Sequence, residues 1–200
     1  YLEKKKKECK KLGVEVKVAY SDRLSLFKAI KSIKDIISQE KGNYIYVNVA
    51  SGSKIQAIAC MMACMVLKEC DNLQPFYAEP ESYAAFEGKQ QSFGIKDTIP
   101  LPTYEIQTPK PKLLAALKII SEQKNQKITK KEMAQIAEEQ EIITVNAEES
   151  NHSQARFASL DKNIILPLER DWKFIEIEKI GRNRWIKITQ EGKDAAEFLI

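Results

Sequence analysis

The stretch Tyr44–Leu67, YIYVNVASGSKIQAIACMMACMVL, holds a strand, a turn and a helix in that order. Residues 44–49 are almost continuously apolar or β-branched, which is typical of an interior parallel strand covered on both faces. Small polar residues follow at Ser51–Lys54, and the pattern from Lys54 to Cys70 is helical and apolar nearly all round. A helix this apolar needs cover on two sides, so we expect its own sheet on one side and a second subunit on the other.

Upstream of this stretch the periodicity changes twice. A helix with many lysines ends at Gly13, and Val14–Val18 then alternates apolar and charged residues as a strand does. Ser21 or Asp22 is expected to cap a second helix, whose apolar stripe runs down to Glu40. The sequence therefore predicts helix, strand and helix before the stretch that decides the fold.

Downstream of the stretch, Pro75–Ala78 is a further predicted strand, so helices and strands alternate through the first half of the chain. That order implies right-handed crossovers and a parallel sheet, which predicts a Rossmann-like α/β domain. Such a unit has a strand before its first helix, so we expect this sequence to be a fragment that lacks it. Residues 79–108 are rich in turn formers and predict loops, an edge strand and a linker.

From Pro109 onward the pattern predicts a winged helix-turn-helix. A helix spans the apolar positions 113–120, and Thr129 caps a second one. Ser150 is expected to cap a longer third helix. Residues 174–188 form a hairpin that turns at Gly181–Asn183, and a short helix closes the domain. We therefore place the Rossmann-like domain at 1–106, a linker at 107–111 and the winged helix-turn-helix at 112–200.

Composition limits the classes of protein. The chain has 200 residues, 44% of them hydrophobic, and a net charge of +4, which permits nucleic-acid binding without requiring it. The longest apolar run, Ala57–Leu67, is shorter than the roughly 20 residues that cross a bilayer, so we expect no membrane span. Free cysteines indicate a reducing cytoplasm. Cys60 and Cys64 share a helix face but leave a metal two ligands short, so no metal site is expected.

The turn after the first quoted strand is a candidate anion site, because it places hydroxyls, backbone N–H groups and an ammonium at a helix N-terminus. Its spacing matches neither GxxxxGK[ST] nor GxGxxG, so an NTPase or a dinucleotide enzyme is not supported. The alternative is a plain helix cap. The candidate ligand-binding residues are Asn48, Ser51, Gly52, Ser53 and Lys54.

Several motifs together resemble a known family. VNVASGSKIQAIACMMACM, FYAEPESY, FGI and LPTY are similar to an archaeal family of two-domain regulators whose N-terminal half is akin to the CRISPR-associated Rossmann fold (CARF). The resemblance implies that Ser51–Lys54 lines a pocket at a homodimer axis. In some members of that wider fold the pocket binds a cyclic oligoadenylate, so the resemblance implies a nucleotide ligand.

Recognition helices present their N-terminal residues to base edges, and a wing tip reaches phosphates or the minor groove. The candidate contacts to double-stranded DNA are Lys130, Lys131, Asn151, His152, Ser153, Gln154, Arg156, Arg182, Asn183 and Arg184. Two alternatives are an ordinary hairpin with solvated arginines and a winged helix used for protein contacts. From Pro109 onward the chain has 16 basic and 15 acidic residues, so the placement of charge matters more than its sum.

These expectations combine into a ligand-responsive, homodimeric transcription regulator in the cytoplasm, with no cofactor and no catalytic residue. His152 has no carboxylate or nucleophile predicted beside it, so a catalytic role is not expected. Two alternatives stay open. One is an enzyme that cleaves a cyclic nucleotide, with Ser51, Ser53 and Lys54 at the phosphate. The other is a winged-helix module for protein interactions.

Overall fold

The structure is a computed structural model that describes residues 2–22, 24–68, 70, 72–83 and 92–200. Two hydrophobic clusters divide it, one built from residues of the first half and one from the second. The helices and strands of the first half are α1 (Leu2–Lys11), α2 (Leu26–Gln39), β1 (Ile45–Asn48), α3 (Lys54–Val66), β2 (Leu73–Glu79), β3 (Ser82–Tyr83), β4 (Ser92–Phe93) and β5 (Asp97–Pro100).

The main sheet of the first half has the order β1-β2-β5. β1 and β2 are parallel, with Ile45 opposite Leu73, and α3 is the crossover between them. β5 pairs antiparallel with the other edge of β2, where Phe76 lies opposite Pro100. The described strands thus form one βαβ unit and an antiparallel edge strand, which is a small mixed sheet. A Rossmann or CARF assignment stays a prediction.

Two expectations for the sheet are wrong. Val14–Val18 belongs to no strand of the described sheets, and its valines face solvent, with Val14 54% exposed. Alternation alone does not make a strand, because the backbone groups also need a neighbouring strand to pair with. Among the described strands, β1 lies at the edge of its sheet rather than in the interior, so Tyr46 is 68% exposed instead of covered.

The helix α2 is confirmed, but its cap is not. Ser25 precedes the helix, and its side chain accepts a hydrogen bond from the backbone N–H of Lys28, so neither Ser21 nor Asp22 is the N-cap. Asp22 instead accepts from the backbone N–H of Leu24. The helix therefore starts about one turn later than the sequence indicates.

The cover of α3 comes largely from α2. Their buried residues form one cluster, which includes Ile30 and Ile37 of α2 with Ala63 and Cys64 of α3. Burial raises the pKa of Cys64 to about 12, and the neighbouring Cys60 thiol adds to the shift. The helix thus needs less outside cover than its composition indicates.

The second half has its own core and the predicted order of elements. Its helices and strands are α4 (Pro111–Glu122), β6 (Lys127–Thr129), α5 (Lys130–Glu139), α6 (His152–Leu160), β7 (Ile175–Ile180), β8 (Asn183–Ile188) and α7 (Gln190–Leu199). The strands form an antiparallel sheet of order β6-β8-β7. Nineteen buried residues fill the space between the helices and this sheet. A winged helix is confirmed, with the three-residue strand β6 as an addition.

The long third helix starts differently from the prediction. A 3₁₀ turn at Glu149–Asn151 leads into α6, and Asn151 rather than Ser150 is the N-cap, without a side-chain hydrogen bond. Two π-helical turns, Asp161–Ile165 and Pro167–Asp171, continue the helix to Asp171. Wider turns are one way for a helix to contain a proline, which has no N–H to donate.

The two halves touch through α2 and α7. The rings of Phe27 and Phe198 stack with centroids 5.8 Å apart and an interplanar angle of 16°. Phe198 packs against the hydrophobic cluster of the first half, while Ala195 of the same helix belongs to the core of the second. One helix therefore contacts both cores.

Candidate nucleic-acid interface and ligand turn

The turn before α3 is a well-formed helix cap. Ser53 Oγ accepts from the backbone N–H of Gln56 at 3.2 Å, and the Gln56 side chain accepts from the Ser53 N–H at 2.8 Å. This reciprocal pair is a capping box. Gly52 has a φ of +92°, and a Cβ there would lie 2.7 Å from Gln56 Oε1. The cap alone thus accounts for the glycine and for Ser53.

The other residues of the ligand turn are exposed. Asn48 Oδ1 accepts a hydrogen bond from the backbone N–H of Ala50 at 2.8 Å, which stabilises the turn at the end of β1. Ser51 and Lys54 lie at the surface, at the N-terminal end of α3. The structure brings the five candidates together, and a ligand for them stays a prediction.

The first turn of α6 presents a polar surface. Asn151, Ser153 and Gln154 are exposed, and Lys131 is exposed at the start of α5. An exposed amide at this point of a recognition helix has the chemistry to read a base edge. These four of the ten predicted DNA contacts are therefore exposed, three of them at the start of α6.

Two other candidates on α6 are held by α5. Glu138 lies with one oxygen 2.9 Å from His152 Nε2 and with the other 2.7 Å from Arg156 Nε. Arg156 Nη2 is 3.3 Å from His152 Nδ1, so an Nε2–H tautomer of His152 satisfies both neighbours. The three side chains hold α6 against α5. Arg156 and His152 are partly covered and do not project freely into solvent.

Lys130 is also used inside the domain. Its Nζ lies 2.6 Å from Asp161 Oδ2, and its side chain is only 14% exposed. It also lies over the ring of Phe157, 5.8 Å from the centroid. The sequence placed Lys130 among the DNA contacts because it opens a helix, but this ion pair to the long helix shows a structural role.

The wing tip is cationic and open. Gly181 has a φ of +61°, and the turn places Arg182, Asn183 and Arg184 at the surface. Neither arginine forms an ion pair with any residue that the structure describes. Lower on the wing, Lys187 lies 3.0 Å from Glu176 and 3.1 Å from Glu178. Lys187 lower on the wing is therefore paired with carboxylates, whereas Arg182 and Arg184 at the tip are not paired with any described residue.

Two glutamates and one lysine were missed by the sequence analysis. Glu138 is the acid that orders His152 and Arg156, and the four-residue spacing of that pair on one helix face was a usable signal. Glu148 is exposed just before the 3₁₀ turn that leads into α6, where it would repel a phosphate group. Lys162 lies eight residues after Gln154 and is exposed on the same helix.

Two kinds of feature are absent from the described ranges. No three His, Cys, Asp or Glu side chains among those residues are grouped as a metal ion would require. Likewise, no described helix has the length and apolar character to span a bilayer.

Comparisons with known proteins agree with the architecture of the second half. Residues 1–83 match a family model named HFX_2341_N, an N-terminal domain. The chain is also similar to the uncharacterized protein MJ1513 of Methanocaldococcus jannaschii, with 29% identity over 171 residues that cover 73% of this chain and 50% of the relative. The chain thus spans about half the length of that relative. Residues 112–200 match the family model of the DUF6293 C-terminal winged helix domain, which agrees with the winged helix that the second half of this chain forms.

Proposed function

We propose that the chain is a DNA-binding transcription regulator that responds to an anionic, nucleotide-like ligand. The observation that carries DNA binding is the pairing of an open cationic wing tip with an exposed polar first turn on the recognition helix. Both belong to one winged helix, in which such a turn enters the major groove and the wing contacts the backbone.

The arrangement of charge supports this proposal better than the total does. Lys130, His152 and Arg156 hold the helix-turn-helix together, while Arg182 and Arg184 keep their charges free. These internal pairs neutralise cations elsewhere in the domain and leave the arginines at the wing tip unpaired among the described residues. A surface with two free guanidinium groups at one end suits phosphate contact, which supplies most of the affinity for DNA.

Selection of sites from a random duplex pool, followed by salt titration, tests DNA binding. Gln154→Ala should relax base preference, since a good contact to a base edge contributes about 1–3 kcal/mol of discrimination. Arg182→Ala should weaken binding to all sequences and reduce the salt slope by about one unit. Lys118→Ala, an exposed lysine on α4, is the control. If no sequence is enriched and binding is insensitive to salt, the winged helix is a protein-interaction module instead.

The ligand part of the proposal rests on the turn before α3. Lys54 and Ser51 are exposed beside the N-terminal end of a thirteen-residue helix, where an anion is favoured. α3 packs on α2, and α2 packs on α7 of the winged helix, so bound ligand has a continuous route of packed helices to the DNA-binding half. Binding rather than cleavage is proposed.

Calorimetric titration with cyclic oligoadenylates tests the ligand. Lys54→Ala should weaken binding while the fold is retained, because the side chain is exposed. The wild-type complex should also change the affinity for the selected DNA site. Turnover of the cyclic nucleotide would instead favour the enzyme, and unchanged affinity in Lys54→Ala would remove the turn from the site.

We also propose a homodimer. Of 18 exposed large hydrophobic side chains among the described residues, 16 precede residue 105, and Ile58 of α3 is one of them. Burial of such a surface in an isologous contact is the common solution. The preferred DNA site should then be an inverted repeat with half-sites about 10 base pairs apart or a multiple. Light scattering that finds a monomer at micromolar concentration would contradict this.

A further inference from the structure

A groove on the winged helix lies beside the second half of the long helix. Its volume is about 1100 Å³, and it runs between the chain before α4, the loop after α5 and the π-helical turns that follow α6. Leu113, Ile142 and Ile143 lie at its base and are buried. The groove is thus part of the surface of a packed domain.

Three lysines line this groove. Lys110 and Lys112 flank the first residue of α4, and Lys162 comes from the long helix. All three are exposed, and none forms an ion pair within the described ranges. Glu105 and Asp171 also line the groove and are exposed and unpaired. Three ammonium groups against two carboxylates leave the groove with a charge of +1 and with free cations.

Lys162 connects the groove to the proposed DNA face. Gln154, Ala158 and Lys162 follow at intervals of four residues, and all three are exposed on one side of the helix. Eight residues at about 1.5 Å each separate Gln154 from Lys162 by roughly 12 Å. That distance is close to the width of the major groove, about 12 Å. If the helix lies across the groove with Gln154 at the bases, Lys162 reaches one of the phosphate strands.

We propose that Lys110, Lys112 and Lys162 form a second phosphate-contact surface, which binds the DNA backbone outside the base pairs that the first turn of α6 reads. The proposal rests on the proposed DNA binding and adds a site to it. Three free ammonium groups in one groove complement a phosphate strand, and Lys162 makes the surface continuous with the reading face. Asp171 opposes the same strand and limits the affinity.

The test is a salt titration of the full chain on its selected duplex site. Lys162→Gln should lower the salt slope by about one unit, and the triple Gln variant by two to three, because each phosphate contact contributes about one. Asp171→Asn should change affinity in the opposite direction, to tighter binding. Base preference should stay unchanged in all of them. Lys118→Gln is the matched control, since it removes an exposed lysine of α4 outside the groove.

The outcomes separate the two proposals. Circular dichroism checks that each variant is folded. We expect all of them to fold, because the substituted side chains are exposed. If Arg182→Ala lowers the slope and the groove variants leave it unchanged, the second surface is refuted and DNA binding stands. If Lys162→Gln alters base preference instead of the slope, Lys162 reads bases, which also overturns the proposal. If the wild type shows no salt-dependent binding, both proposals fail.

Discussion

Gly192 in α7 is the position where one methyl group should do most damage. The residue is buried, and an added Cβ would lie against the carbonyl oxygen of Phe174, inside van der Waals contact, and 2.8 Å from Ile188 Cγ1. The same Phe174 carbonyl accepts a hydrogen bond from the Thr189 N–H at 2.9 Å. If this carbonyl moved away from the added Cβ, the hydrogen bond from Thr189 at the start of α7 would be lost.

The expected magnitude is the difference between two effects. Alanine in a helix is favoured over glycine by about 1 kcal/mol. This applies to Gly192, because it lies within α7 and its φ is not positive. Overpacking a filled core costs about 1–3 kcal/mol, and a backbone obstacle puts this site at the upper end. Gly192→Ala should thus destabilise the winged helix by about 2 kcal/mol.

Urea unfolding followed by tryptophan fluorescence measures this directly. Both tryptophans, Trp172 and Trp185, lie in the winged helix, and Trp172 packs 5.6 Å from the Phe174 ring. The neighbouring Lys193→Ala is the control, because Lys193 is exposed. A midpoint that rises in Gly192→Ala would mean that helix propensity outweighs packing, and the reasoning from the close approach would be refuted.

Three further predictions concern other contacts. Asp161→Asn should destabilise the winged helix in urea by about 1–2 kcal/mol, because it leaves the charge of Lys130, the more buried partner, unpaired. Lys130→Met should destabilise it less, because Asp161 is the more exposed partner. Equal losses of stability would contradict this. Phe27→Ala should lower the free energy of unfolding by about 1–2 kcal/mol, because it removes the ring contact to Phe198. It should also accelerate cleavage within residues 101–110 in limited proteolysis. The raised pKa of Cys64, about 12, keeps its thiol neutral at pH 8, so Ellman's reagent should label it only on unfolding; loss of a fast-reacting thiol in Cys64→Ser would refute this.

Local signals predicted the second half of the chain well. Thr129 and Glu132 form the capping box of α5, and hydrogen bonds from the Thr129 hydroxyl and backbone lower the pKa of Glu132. The alternation of the hairpin and its turn at Gly181 gave β7 and β8. These features depend on neighbours within a few residues, so a sequence can reveal them.

The features that failed depend on distant partners. Val14–Val18 alternates correctly but has no described strand to pair with. β6 is three residues long, too short for a period, and it exists because β8 pairs with it. The sequence pattern correctly predicted that His152 and Arg156 lie near the start of α6. Their side chains, however, contact Glu138 of α5, and the sequence pattern did not predict this contact. Tertiary contacts therefore decided both the strands and the roles of the site residues.

The position of α7 has a consequence for the order in which the protein is made. Phe198 is synthesised 125 residues after Leu73, yet both pack against the same cluster of the first half. Domains generally fold as units while the ribosome extends the chain. Here the first half must wait, with part of its apolar surface uncovered, until α7 emerges. A nascent chain stalled before α7 is therefore the form of this protein in which we expect chaperones to bind most strongly.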